Sequence, residues 1–110
     1  MERFVKGDIV VVPFPYSDLS GRKKRPAFVI TDCGDDDIII CKITSQNKRD
    51  NFSILLQDSD FAGGSLKKIS NIRPNKFLTI DKRIVFYKAG CLKSEMTKEV
   101  IEKIIQIIES

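Results

Sequence analysis

Gly7-Asp8-Ile9-Val10-Val11-Val12-Pro13-Phe14 is followed, across a polar loop, by Arg22-Lys23-Lys24-Arg25-Pro26-Ala27-Phe28-Val29-Ile30-Thr31, and these two stretches decide the fold. Both contain β-branched and aromatic runs, so two apolar strands flank a connection that reads as mobile and strongly basic. Consecutive cations repel one another. Set beside a rigid scaffold, the run Arg22 to Arg25 suggests an anion to be gripped, with phosphate the obvious choice.

Working outward, Ile38 to Thr44 and Phe52 to Leu56 are further β-type runs, bounded by Gly, Asp and Asn. With Ile9 to Phe14 and Ala27 to Thr31 they predict an antiparallel meander, its second turn supplied by Gly34-Asp35-Asp36. More strands are expected at Ile69 to Ile72, Phe77 to Ile80 and Ile84 to Tyr87. Pro74 marks a bend, because proline cannot donate to a central ladder. After Ser94, read as an N-cap, the period changes: Met96, Val100, Ile101, Ile104, Ile105 and Ile108 share one helical face opposite Lys98, Glu99, Glu102, Lys103 and Gln106. The fold class is therefore mainly β with a C-terminal helix, an antiparallel and strongly bent sheet.

The chain has 110 residues, the size of one domain (residues 1–110), with 42% hydrophobic and 31% charged residues. Lys and Arg number 19 against 15 Asp and Glu, a net charge of +4 that favours a polyanionic partner. No segment has signal-peptide form or approaches the ~20 apolar residues of a membrane span, so the chain reads as cytoplasmic, with no membrane partner. Cys33, Cys41 and Cys91 are scattered without a C-x-x-C pair, which argues against a disulfide framework or a thiolate zinc site.

Histidine is absent, which removes the usual acid–base residue of ribonucleases and the commonest metal ligand. Asp35-Asp36-Asp37 reads as a turn, since neighbours in an extended chain point to opposite faces. No Walker loop, nucleophile elbow or paired metal-ligand motif occurs, so neither metal nor cofactor is expected. RNA offers another route, because its own 2′-hydroxyl can attack the adjacent phosphorus. Arg25 brings a planar fork matched to phosphate oxygens, and Thr44, at a strand end, brings one hydroxyl donor. The loop residues Tyr16, Ser17, Asp18, Ser20 and Gly21 suit an unstacked base and a sugar–phosphate backbone, or else form a solvated hairpin tip.

Lys6-Gly7-Asp8-Ile9-Val10, Arg25-Pro26, Ile43-Thr44-Ser45 and Ile72-Arg73-Pro74 occur in an order and at separations that resemble the MazF/PemK/Kid toxins of type II toxin–antitoxin systems, PemK-like subgroup. The resemblance runs from Val5 to Ile108. It implies an SH3-like small barrel with appended helix, and a sequence-selective, metal-independent endoribonuclease (mRNA interferase). Such an enzyme cuts single-stranded RNA to leave a 2′,3′-cyclic phosphate and a 5′-hydroxyl. Arg25 and Thr44 would be the catalytic pair, Arg25 stabilising the transition state.

Substrate-binding roles are expected for further residues. Arg22, Lys23, Lys24, Lys48 and Arg49 would track the backbone, while Phe14, Tyr16, Ser17, Ser45, Gln46 and Asn47 would meet bases and sugars. Phe14 reads equally as core. Arg73, a signature of the subgroup before Pro74, reads as a substrate-binding or catalytic residue, a structural ion pair or a dimer contact. The first-loop acid of many relatives is missing, with Asp18 the nearest. A homodimer, an acidic antitoxin competing with RNA, and operator DNA bound only by the toxin–antitoxin complex are the implied partners. The rivals are a non-catalytic module on the same fold, like the CcdB gyrase poisons, and a relative that binds without cutting.

Overall fold

The computed structural model describes residues 3–15, 22–46 and 50–110. Seven strands lie in the described residues: β1 Asp8–Pro15, β2 Arg22–Asp32, β3 Asp37–Thr44, β4 Ile54–Leu56, β5 Phe61–Gly64, β6 Ser70–Asp81 and β7 Tyr87–Leu92, followed by helix α1 Ser94–Glu109. They form one antiparallel sheet in the order β4-β6-β3-β2-β1-β7-β5, curled into a half-barrel. The meander and the terminal helix agree with the sequence reading. No helix among the described residues is long and apolar enough to cross a membrane.

The unbroken apolar runs of β1 and β3 follow from burial on both faces. One face packs Ile9, Phe28, Cys41, Ile43, Ile72 and Leu56 with Val100 and Ile104 of α1. The other packs Val10, Val12, Phe14, Ala27, Val29, Ile38, Ile40 and Ile80. Successive residues of one strand thus serve alternate clusters. Burial pushes the Cys41 thiol up to about 12.

The Gly7-Asp8 corner starts this ladder. Gly7 has φ +96°, a region that side chains disfavour, and a Cβ there would come within 2.5 Å of Thr97 Oγ1. Its N–H donates to Val29 O at 3.0 Å and its carbonyl accepts from Leu92 N at 2.9 Å, tying β1 to both neighbours. Asp8, 1% exposed, accepts from Val5 N at 2.9 Å and sits 3.1 Å from Lys88 Nζ.

Several boundaries differ from the sequence reading. The basic run Arg22 to Arg25 belongs to β2 and pairs with β1 from Pro15↔Arg22 to Val12↔Arg25, so it is not a loose connection. The strands expected at Ile69 to Ile72 and Phe77 to Ile80 are one strand, β6. It carries a bulge: Lys42 pairs with Arg73 and Cys41 with Phe77, leaving residues 74–76 without partners on β3. The strand expected at Ile84 to Tyr87 is a 3-10 turn, Lys82–Ile84, with β7 starting only at Tyr87. β5 has no counterpart in the sequence reading. The N-cap of α1 is Lys93, whose carbonyl accepts from Thr97 N, in place of Ser94. On the helix only Val100 and Ile104 are buried, and Ile105 and Ile108 face outward.

Near the other end of the strand β2, Lys82 and Asp32 form a buried ion pair, Nζ lying 2.9 and 3.0 Å from the two oxygens. Asp32 also accepts from Gly34 N at 2.9 Å and Phe4 N at 3.1 Å. The Gly34 amide, then Lys82 and the Phe4 amide, hold its carboxyl down to about 2 from the usual 3.8. A depressed carboxylate binds fewer protons folded than unfolded, so its stabilisation is complete above 3.8 and is lost as pH falls toward 2. Melting temperature measured against pH will fall steeply across that window, and Asp32→Asn will flatten the acid limb while lowering stability near neutrality.

Candidate functional site

The β2–β3 register runs Phe28↔Cys41 and ends at Ala27↔Lys42. Arg25 lies two residues before that end on β2, and Thr44 two residues past it on β3. The pleat gives the face: Arg25 alternates with Ala27 and Val29, and Thr44 with Ile40 and Ile38, all on the side of the second cluster. β6 adds Asn71 opposite Thr44 and Arg73 opposite Lys42, on that same side. The two predicted catalytic residues therefore lie on neighbouring strands, both past the point where the shared register stops.

Thr44 is 5% exposed, and its Oγ1 accepts from Gln46 N at 3.1 Å. That bond uses a lone pair and leaves the hydroxyl proton to be donated. Ser45 and Gln46 are exposed, and the Gln46 carbonyl accepts from Asn71 Nδ2 at 3.0 Å. Arg25 is half-buried, and among the described residues no carboxylate or carbonyl pairs with its guanidinium. An arginine left without an internal anion at a cleft is free to take an external one.

Arg25 and Ser45, but not Thr44, line a cleft of about 240 Å³. Lys24, Lys67 and Lys68 add cations to it, Ser70 a second hydroxyl, and Pro26 and Leu66 an apolar wall. This combination suits a phosphate with a base or sugar beside it. Lys24 Nζ also lies 4.9 Å from the centroid of the Phe86 ring. Lys67 and Lys68 come from the β5–β6 connection and were missed by sequence reasoning. The available signal was a lysine doublet just after a Gly-Gly-Ser turn, repeating the doublet at Lys23-Lys24. A larger cleft of about 520 Å³, between β4 and α1, carries Asp60, Glu99 and Glu102 and so has the wrong sign for phosphate.

Other candidates fall differently. Lys23 is exposed and pairs with Phe14 across the hairpin. Phe14 itself is a correction: its ring is buried in the second cluster, where no base can stack on it. Arg73 is likewise engaged, its Nη2 2.7 Å from Asp50 Oδ2 and its side chain 12% exposed. The Phe52 and Ser53 amides, ahead of Arg73, hold the Asp50 carboxyl below its usual value. Tyr16, Ser17, Asn47, Lys48 and Arg49, and the Arg22 side chain, lie outside the described residues.

The family model for PemK-like, MazF-like toxins of type II toxin–antitoxin systems matches residues 5–108. The chain belongs to that family. Its fold is that of solved MazF structures at low sequence identity. MazE–MazF (form II) from Deinococcus radiodurans superposes with a TM-score of 0.76 at 16% identity, over 99% of this chain and 98% of that one. A mycobacterial endoribonuclease in complex with its cognate antitoxin gives 0.75 at 11%, over 97% and 96%. MazF (form I) from D. radiodurans gives 0.75 at 15%, over 100% and 99%. No curated protein matches by sequence.

Because Phe14 is core in this toxin, Phe14→Ala will cost about 3–5 kcal/mol of stability. Urea denaturation measures the loss, which a ring serving only as a surface platform would not produce.

Proposed function

We propose that the protein is a sequence-selective endoribonuclease toxin that cleaves single-stranded RNA without a metal ion. The observation that supports this reading is the guanidinium of Arg25, which no carboxylate pairs among the described residues, on the strand beside that of Thr44 in a chain of the MazF-like family. The substrate supplies its own nucleophile. Its 2′-oxygen attacks the adjacent phosphorus as the 2′-proton passes to water, the P–O5′ bond breaks, and the 5′-oxygen takes up a proton from water. A 2′,3′-cyclic phosphate and a 5′-hydroxyl result.

Arg25 meets the charge growing on the non-bridging oxygens, and Thr44 donates one hydrogen bond to the same group. With a pKa above 12, the guanidinium stays charged throughout and acts as a stabiliser. Lys23, Lys24, Lys67 and Lys68 hold flanking phosphates, while Ser45 and Gln46 meet bases or sugars. The working unit is a cytoplasmic homodimer. The same cationic cleft serves an acidic antitoxin, which excludes RNA by occupying it, and the toxin–antitoxin complex binds operator DNA.

Cleavage of an RNA oligonucleotide in excess chelator will proceed at the full rate, and Arg25→Ala will lower kcat by about 10² to 10³ with the fold intact by circular dichroism. Activity that disappears with EDTA, or survives Arg25→Ala, would overturn the mechanism. Replacing Lys67 and Lys68 by alanine will weaken binding of an uncleavable RNA, with 2′-deoxyribose at the scissile nucleotide. The slope of log K against log salt will become shallower by about 0.7 for each phosphate no longer neutralised.

A further inference from the structure

The motif Ile72-Arg73-Pro74 supplies no residue to the cationic cleft. Arg73 is turned inward: its side chain is 12% exposed, Nε is buried without a hydrogen bond among the described residues, and Nη2 donates to Asp50 Oδ2 at 2.7 Å. So deep a guanidinium is poorly disposed to meet an RNA phosphate. Its partner does more than neutralise it. The other Asp50 oxygen accepts from Phe52 N at 3.0 Å, Ser53 N at 2.8 Å and Ser53 Oγ at 3.0 Å, folding the chain into a turn ahead of β4.

Two residues earlier on the same face of β6, Asn71 donates to the Gln46 carbonyl at 3.0 Å. The Gln46 N–H in turn donates to Thr44 Oγ1 at 3.1 Å. β6 therefore holds the chain at Gln46, where it leaves the Thr44 hydroxyl, and at Asp50, where it returns.

We propose that Arg73 is a positioning residue for the cleavage reaction: it holds Asp50 as Asn71 holds Gln46, keeping both ends of the connection after Thr44 docked on β6 without touching RNA. The proposal rests on the nuclease reading. Its physical basis is that a hydroxyl oriented by a neighbouring amide keeps its direction only while that amide is fixed. A displacement of about 1 Å at such a site costs on the order of 10² in rate.

The test uses the full chain with Arg73→Ala, Arg73→Lys, Asp50→Asn and the double variant Arg73→Ala/Asp50→Asn. Arg73→Ala and Asp50→Asn will each lower kcat by about 10²-fold, and the double variant will lose no more than either, because the two residues act as one unit. Kd for the uncleavable RNA and its salt slope will stay unchanged. Arg73→Lys will recover most of the rate, since the observed pair uses a single nitrogen. If Arg73→Ala fails to fold, Asp50→Asn, on an exposed residue, carries the test alone.

A salt slope shallower by about 0.7 in Arg73→Ala, with normal cleavage by Asp50→Asn, would make Arg73 a direct phosphate ligand and overturn the proposal. Hydrogen exchange at the Gln46, Phe52 and Ser53 amides supplies a readout independent of activity. Faster exchange in Asp50→Asn is expected, and unchanged exchange would refute the clamp alone. Absence of RNA cleavage by the wild-type protein would instead refute the nuclease reading.

Discussion

Burial of both faces of β1, β2 and β3 is the constraint on which the rest of this structure depends. Ile9, Val10 and Val12, Phe28 and Val29, and Ile38, Ile40, Cys41 and Ile43 divide between two apolar clusters, so the middle of the ladder has no room for charge. Polar groups are pushed to the strand ends, and the two ends differ in sign. At one end stand Asp8, Asp32, Asp37 and Asp81, with Lys88, Lys82 and Arg83 pairing three of these carboxylates. At the other stand Lys23, Lys24, Arg25 and Arg73, where Asp50 pairs only Arg73. At this second end Lys23, Lys24 and Arg25 have no carboxylate partner among the described residues. A buried charge must be paired because desolvation is expensive, whereas a cation at a cleft mouth keeps its hydration until an anion replaces it.

That division explains what was legible in the sequence. β1, β2, β3 and α1 could be read because two-sided burial leaves long apolar runs and a buried helix face leaves a 3.6-residue period. β5 could not, since Phe61-Ala62-Gly63-Gly64 has one buried side chain and no alternation. β6 looked like two strands because Lys76, Phe77 and Leu78 are exposed and Pro74 interrupts the run. In β7 only Leu92 is buried, which is too weak a pattern to set its register. At the candidate site, Arg25 and Thr44 could be picked out by residue type and motif. Lys67 and Lys68 could not, since their nearness to Arg25 comes from how β5 and β6 lie against the rest of the sheet. Phe14 was ambiguous for a simpler reason: an aromatic residue at a strand end suits a core or a base equally until the curl of the sheet is known.

The motif pieces also separate by physical role. Lys6-Gly7-Asp8 has no part in the cationic cleft; its glycine supplies a backbone conformation and its aspartate satisfies an amide at the corner that starts β1. Arg25-Pro26 and Ile43-Thr44-Ser45 bring the arginine and the hydroxyl. Sequence order alone would not distinguish the structural corner from the chemical pair, because all are short and polar. Burial distinguishes them: Asp8 is 1% exposed with a lysine beside it, whereas Arg25 is half-buried with no described partner.

The two Arg-Pro pairs show how a continuous sheet can hold such a site at all. A regular ladder consumes backbone donors and acceptors and keeps adjacent strands about 4.8 Å apart, which leaves no cleft between them. Proline has no N–H to contribute. Pro26 is paired to Val11 of β1, and the β2–β3 register stops one residue later in the chain, at Ala27. Pro74 begins the three-residue bulge that breaks the β3–β6 register beside Lys42. Each proline ends or interrupts a ladder along the same half of β3, and each follows an arginine. At the first break Arg25 has no carboxylate partner among the described residues; at the second Arg73 finds Asp50. One kind of backbone defect thus produces two arginines with opposite fates, and the difference lies in whether a carboxylate is within reach.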